Sequence, residues 1–548
     1  MATGRRLALL GVLIMTAGGC AKPADTVLVG GKVWTGTGTT ASAVAVRDGR
    51  IVGVGDDASI SRMAGSRTER VALAGRLVVP GLMDNHTHFI AGGFELAGVQ
   101  LRDAARPQEF VRRIAEFVRL HPDVWVQGGT WDHELWGGEL PRRDWIDSVT
   151  GETPVFVSRL DGHMGLANSR ALALAGITAE TRDPPGGTIV RDAAGRPTGI
   201  LKDEAQGLVF AAMPDPTEAE LDRALDAAAR YAVERGVTHV TDMGSWAGLE
   251  TYRRAEAAGR LPLRVYAAVP IATWPRLAEY IARHGRGDPR LAWGAAKGFV
   301  DGSLGSTTAW FYRPYDDAPT TTGLTVTDTA ELRAQILSAD SAGLQVVVHA
   351  IGDRANDWLL GVYAEARERN HNANQRFRIE HAQHLTPDAI RRIGQEGVIP
   401  SMQPYHAIDD GRWAVRRIGP ERLKGTYAFR SLLDAGARLT FGSDWTVAPL
   451  DPLYGIYAAV TRRTLDGANP DGWMPEQKIT VEEALTAYTR SNAYADNLED
   501  VLGTIEVGKY ADLVVLAKDI LTIDPIQIER VPVDLTMVGG AVVYRRRT

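Results

Sequence analysis

Cysteine is almost missing from this 548-residue chain. Cys20 is the only one, so no disulfide within the chain contributes to its stability. An excess of one charge is missing too. The chain has 61 Lys and Arg against 67 Asp and Glu, a net charge of −6, and no basic patch provides the electrostatic footprint that nucleic acid requires. The apolar stretch from Leu7 to Ala17 is too short to span a bilayer comfortably. No low-complexity tract or short repeat stands out, which argues against a disordered or solenoid class. What is present, 45% hydrophobic and 23% charged residues, is ample for a buried core and for more than one domain.

The most informative motif is His86-Thr87-His88, which follows Leu-Val-Val-Pro-Gly-Leu-Met-Asp-Asn at 77–85. In an extended segment, residues two apart point the same way, so two imidazoles can hold one metal ion. Alone, such a pair is as readily a coincidence as a site. Four other residues change the balance: Lys297 in Ala-Ala-Lys-Gly-Phe-Val-Asp-Gly, His349 in Gln-Val-Val-Val-His-Ala, His381 in Arg-Ile-Glu-His-Ala and Asp444 in Leu-Thr-Phe-Gly-Ser-Asp-Trp. Each sits at the C-terminal end of a short, apolar, β-branched run that reads as a buried strand. Asp444 is the hardest to explain as packing, because a carboxylate at a buried strand end needs a partner and a metal provides one.

Ligand types at the C-terminal ends of separate strands point to an α/β fold of the (β/α)8 TIM-barrel type, whose sites are assembled in that way. Eight candidate strands lie at 82–88, 237–243, 263–269, 296–301, 344–349, 377–381, 398–403 and 438–444. Helical patterns fall between most of them, for example at 329–342, 355–369 and 387–396. The first connection, from about 89 to 236, is far longer than a crossover needs. It predicts a large insertion after strand 1, a lobe at about 95–230 over the mouth of a barrel spanning 80–502. Residues 26–79 and 503–548 share a different texture of short strand-like runs and turns, including the hairpin cue Asp48-Gly49. Neither piece is long enough for a well-buried β domain, so the two chain ends are expected to pair into one small β-sandwich.

At the N-terminus, Arg5-Arg6, the apolar stretch and then Ala17-Gly18-Gly19-Cys20 read as a signal segment over 1–20. Cys20 after small residues resembles a bacterial lipobox, with Ala17 where Leu is commoner. The expectation is an exported protein, periplasmic or held at the membrane only through a lipid anchor on Cys20. An ordinary signal peptide with an incidental cysteine is the plainer alternative.

The quoted motifs, with Lys-Gly-Phe-Val-Asp-Gly-Ser-Leu-Gly-Ser at 297–306, Asp-Gly-His at 161–163 followed by Asn168-Ser169, Ser443-Asp444, and Gly-Thr-Ile-Glu-Val-Gly-Lys-Tyr-Ala-Asp-Leu-Val-Val-Leu at 503–516, resemble the amidohydrolase superfamily over nearly the whole mature chain. More narrowly, they resemble the branch that includes N-substituted formamide deformylase. The resemblance implies a metal-dependent hydrolase cleaving a non-peptide C–N bond, amide or formamide, in a small molecule. It implies that His86, His88 and Asp444 hold the more buried divalent ion, that His349 and His381 hold a second if two bind, and that Lys297 bridges as a carbamate. Zinc suits imidazole with carboxylate, and such ligands also admit iron, manganese or nickel. Metal-bound water deprotonated near neutral pH would attack the carbonyl carbon. Asp444 would carry the proton to the leaving nitrogen, and His381 would help polarise the substrate oxygen. A homodimer is common among such proteins.

Asp161 and His163 are the expected substrate contacts from the lobe, because they close the strand-like run at 154–160. Trp131, with Trp136, Trp310 and Trp445, is the candidate for an aromatic wall, although aromatic residues are more often simple packing. Lys297 has a rival role as an uncarbamylated salt-bridge partner of Asp301 or another acid. His384 is expected at the surface or beside the ligands, and His133, His239 and His406 in core, rim or pocket. Two wider alternatives stay open: a non-catalytic solute-binding lipoprotein on the same barrel, and a hydrolase of cyclic amides or dipeptides.

Overall fold

The computed structural model describes residues 22–122, 124–372 and 375–547, so Cys20 and the expected signal segment lie outside the described residues. Among those described, no helix is long and apolar enough to cross a membrane.

Eight parallel strands make one sheet: β1 (Leu82–Thr87), β2 (Val237–Met243), β3 (Arg264–Pro270), β4 (Leu291–Phe299), β5 (Gln345–Ala350), β6 (Arg378–His381), β7 (Ile399–Met402) and β8 (Thr440–Phe441). Their residues are almost all buried, as expected of parallel strands covered on both faces. β8 and β1 close the sheet into a barrel just beyond β8. Asp444 N–H donates to the His86 carbonyl at 2.7 Å, His88 N–H donates to the Trp445 carbonyl at 2.6 Å, and Thr87 bridges Trp445 in parallel. Gly442 permits this approach, since a Cβ there would stand 2.7 Å from both Asp84 Oδ1 and His86 N. Two strands differ from expectation. β4 begins at Leu291 and carries Lys297 inside it, and β8 is only two residues long because the chain turns out of it at the seam.

After β1 the chain leaves the barrel and builds a lobe on a second sheet, ordered Gly187–Arg191, Pro197–Asp203, Met164–Ala167, Phe156–Arg159, Gly128–Trp131, Val99–Gln100. The helix Pro107–Leu120 begins with proline at its first turn and buries Phe110, Ile114 and Val118, one stripe at helical spacing, against this sheet. Thr217 and Glu220 form a capping box at the start of the helix Glu218–Val233. That helix packs on Phe89–Glu95 and β2, so the chain is back on the barrel by Glu218, earlier than the expected 230.

The chain ends form two sheets. One holds Arg50–Gly55, Ala43–Arg47, Ala24–Val29 and Ala64–Ala72. The other joins Ala541–Arg545, Val533–Val538 and Leu513–Leu516 to Leu77–Pro80, Lys32–Trp34 and Thr40–Ala41. Leu28, Val44, Val78, Leu513 and Met537 share one core between the sheets. In the Asp48-Gly49 turn both residues have positive φ, 50° and 77°, as a two-residue hairpin turn requires.

A buried ion pair ties this sandwich to the barrel: Arg264 at the start of β3 grips Asp512 through Nε at 2.7 Å and Nη2 at 2.9 Å. Removing one member strands the other charge. Arg264→Ala is therefore expected to destabilise the fold by about 3–5 kcal/mol, read as a lowered thermal unfolding midpoint; a midpoint unchanged from wild type would show that the pair contributes nothing.

Candidate functional site

The barrel seam brings His86, His88 and Asp444 together. His86 Nε2 and His88 Nε2 each stand 3.4 Å from Asp444 Oδ1. Ligands about 2.1 Å from a tetrahedral ion stand about 3.4 Å from one another, so this spacing fits one divalent ion between the three side chains. The hydrogen bonding supports that fit. His86 Nε2 and Asp444 Oδ1 are both buried and, among the described residues, neither has a hydrogen-bond partner, which is uncommon for buried polar atoms. His381 and His406 also gather on Asp444, within a span that could hold an ion. His349 stacks edge-on to His381 with ring centres 4.5 Å apart, outside both groups of close donor atoms.

Backbone conformation at the strand ends is unusual in the same places. His381, Ala382 and Asp444 have φ of 75°, 45° and 58°, a region that non-glycine residues occupy at a cost of about 1–3 kcal/mol each. The surrounding barrel holds them there. Asp84 contributes by accepting Ser443 N–H at 3.0 Å and His86 N–H at 3.2 Å across the seam, and burial pushes its carboxyl up to about 7.

Burial pushes His86, His349 and His381 well below the ordinary imidazole range, which keeps them neutral and able to ligate. Burial opposes ionisation of Asp444, but the facing His86 and His88 hold it below the usual carboxylate range. Lys297 is pushed down to about 8 by burial, against the opposing pull of Glu380 and Asp444. Its Nζ has no hydrogen-bond partner among the described residues and lies 4.7 Å over the Phe299 ring. The rival pairing with Asp301 does not form. Asp301 instead accepts the backbone N–H groups of Trp310, Ile351 and Gly352 at 2.7, 3.0 and 2.8 Å.

Glu380, which the sequence shows beside His381 without revealing its role, is a carboxylate that orients a candidate ligand. Glu380 Oε2 meets His86 Nδ1 at 2.5 Å, which fixes the tautomer and turns Nε2 toward Asp444. Glu380 is held in turn by Arg378 Nε at 2.8 Å and Ser401 Oγ at 2.6 Å, and Arg378 Nη1 reaches Asp496 at 3.0 Å. Asp496 also takes His239 Nε2 at 2.8 Å, so that histidine belongs to a buried ionic stack in the barrel. Strand alternation was the available signal, since Arg378 and Glu380 are two apart and share a face.

A narrow cleft opens over this cluster and is lined by His163, His349, His381, His406, Trp413 and Asp444, among others. A larger cavity, about 1280 Å³, includes Arg286, Arg376 and Asp496 but none of the candidate ligands. From the lobe, His163 sets its Nδ1 2.6 Å from Asp203 and its ring 5.0 Å from that of His349. Asp161 pairs with Arg159 at 2.6 Å and also lines the cleft.

The expected aromatic wall does not form. Trp131 is fully buried in the core of the lobe and donates Nε1–H to the Val157 carbonyl at 2.8 Å, so it is not a substrate contact in this arrangement. Trp136 packs on the same core, Trp310 lies under Arg354, and Trp445 stacks on Tyr231. Trp413 is the tryptophan that lines the cleft. His384 is not at the surface; it is buried against Thr426, with Nδ1 2.8 Å from its hydroxyl. His133 is a core residue whose Nδ1 accepts Arg159 Nε–H at 3.2 Å.

Residues 69–544 match the model of the amidohydrolase family. The chain belongs to that family. Among relatives, it is 40% identical to protein LONG AFTER FAR-RED 3 of Arabidopsis thaliana, over 90% of this chain and 87% of that protein. It is 31% identical to N-substituted formamide deformylase of Arthrobacter pascens, over 92% and 95%. Among solved structures, an uncharacterized metal-dependent hydrolase from Pyrococcus horikoshii OT3 superposes with a TM-score of 0.75 at 29% identity, covering 91% of this chain and 99% of the other.

In this amidohydrolase, Glu380→Gln replaces the charged partner of His86 with a neutral amide. Metal affinity, measured by competition with a chromogenic chelator, is expected to fall about 10–100-fold; an unchanged affinity would mean that Glu380 does not tune His86.

Proposed function

We propose that this amidohydrolase is a metal-dependent hydrolase that cleaves the non-peptide C–N bond of a small amide or formamide. The observation that carries the reading is a set of buried atoms at one spot that have no hydrogen-bond partner among the described residues: His86 Nε2, Asp444 Oδ1, His406 Nε2 and Lys297 Nζ. A purely structural cluster would satisfy these atoms with one another. The N-substituted formamide deformylase of Arthrobacter pascens, similar over most of both chains, favours an amide or formamide bond.

His86, His88 and Asp444 would hold the ion, with His349, His381 and Lys297 available to a second. A divalent ion there, zinc by the imidazole and carboxylate donor set, supplies Lewis acidity and lowers the pKa of bound water. Lys297, pushed down to about 8 by burial, is uncharged in about a tenth of molecules at pH 7, the form that reacts with carbon dioxide to give a carbamate. Asp444 lines the cleft and carries a proton from the attacking water to the leaving nitrogen. His163, steadied by Asp203, presents its other ring nitrogen to the substrate and orients the carbonyl. The lobe covers the barrel mouth and restricts water.

Asp444→Asn removes both a ligand oxygen and the proton carrier. Turnover of N-formyl and N-acyl amides is expected to fall at least about 10²–10⁴-fold, and chelation of the wild type followed by zinc should abolish and then restore it. Wild-type protein that carries no metal as purified, or whose turnover survives both treatments, would rule out the hydrolase.

A further inference from the structure

The cleft holds a second unmet demand, separate from the candidate metal ligands. Asp161 takes Arg159, Asp409 takes Arg412, and Asp444 belongs to the histidine cluster. Among the described residues of the cleft, Asp410 is the carboxylate that forms no ion pair. The Tyr427 hydroxyl donates to its Oδ2 at 2.6 Å and the Gln383 amide at 2.8 Å. These bonds fix the carboxylate, and Oδ1 receives no hydrogen bond from the described residues. Burial pushes the Asp410 carboxyl up to about 7 against the Tyr427 hydrogen bond and the guanidiniums of Arg159 and Arg412, and both guanidiniums are shared: Arg159 between Asp132 and Asp161, and Arg412 between Asp132 and Asp409. Neither guanidinium is thus free to pair with Asp410, which stays the cleft carboxylate without an ion-pair partner among the described residues.

A second observation is independent of that count. Trp413 lines the same cleft, is only 4% exposed, and its indole N–H has no partner among the described residues. Native proteins seldom leave a buried donor unmet, so this N–H is a donor still without an acceptor at the cleft wall.

We propose that Asp410 and Trp413 form a subsite for a protonated amine, so that the substrate is a small amide that also carries an ammonium group. The ammonium donates to Asp410 Oδ1, and an oxygen of the same molecule accepts the Trp413 N–H. This substrate class rests on the amide-hydrolase reading above, but the subsite itself can be measured without turnover.

Two sulfonamides of equal length serve as probes, because the proposed reaction does not cleave their S–N bond: N-(3-aminopropyl)methanesulfonamide, cationic at neutral pH, and N-butylmethanesulfonamide, neutral. Binding to metal-loaded protein is measured by calorimetry. The wild type is expected to bind the cationic probe at least about tenfold more tightly. Asp410→Asn keeps the shape and should reduce that preference to less than about threefold, with metal content equal to wild type. Tyr427→Phe, which removes one hydrogen bond but keeps the charge, should retain the preference, so a general packing defect is separated from loss of the anion. A wild-type preference below about threefold, including failure of both probes to bind, overturns the subsite, as does a preference that survives in Asp410→Asn. Selective binding of the cationic probe without turnover of any amide would overturn the hydrolase reading and leave the subsite standing. Turnover without the preference would do the reverse.

Discussion

Closure of the barrel between β1 and the chain just past β8 is the contact on which the site depends. Main-chain hydrogen bonds from Asp444 to His86 and from His88 to Trp445 draw together segments that are remote in sequence, with Asp84 and Ser443 bonded across 359 positions. The same bonds that complete the sheet set three candidate ligands 3.4 Å apart. Stability and site geometry are coupled there, which explains why the chain tolerates left-handed backbone at Asp444 and His381. Strain of this kind persists only where the surroundings over-determine the conformation.

Beneath the seam, charge is buried deliberately deep. Glu380, Arg378, Asp496 and His239 form a stack with almost no solvent exposure. Burying such groups is expensive unless every one is paired, and here each neighbour satisfies the next. The stack ends on His86 Nδ1. Its consequence is a rigid imidazole whose free nitrogen faces Asp444, in contrast with Lys297, which is buried and whose Nζ has no hydrogen-bond partner among the described residues.

Above the seam, the inserted lobe decides what reaches the cluster. Its sheet delivers His163 and Asp161 to the cleft wall and withdraws Trp131 into its own core. The opposite wall comes from the chain after β7, where Pro404–Asp410 and Trp413 supply His406, Asp410 and an indole N–H. The lower part of the site is thus built from barrel strand ends, which are chemically similar to ligand sets of metal sites. The upper part is built from two unrelated segments and carries the individuality of the pocket.

The barrel, its long first insertion and the sandwich at the chain ends were legible in the amino-acid sequence, because each rests on a local pattern: buried β-branched runs, an overlong connection, and turns such as Asp48-Gly49. His86, His88, Lys297, His349, His381 and Asp444 were legible for the same reason, each being a polar residue that ends or interrupts an apolar run. Only the tertiary structure decided that Glu380 would hold His86, that His406 would join Asp444, that Trp131 would be core while Trp413 lines the cleft, and that Lys297 would not pair with Asp301. Side-chain period tells which face of a strand a residue occupies, whereas partners across the barrel and from the lobe depend on how distant segments pack, and no local pattern encodes that distance.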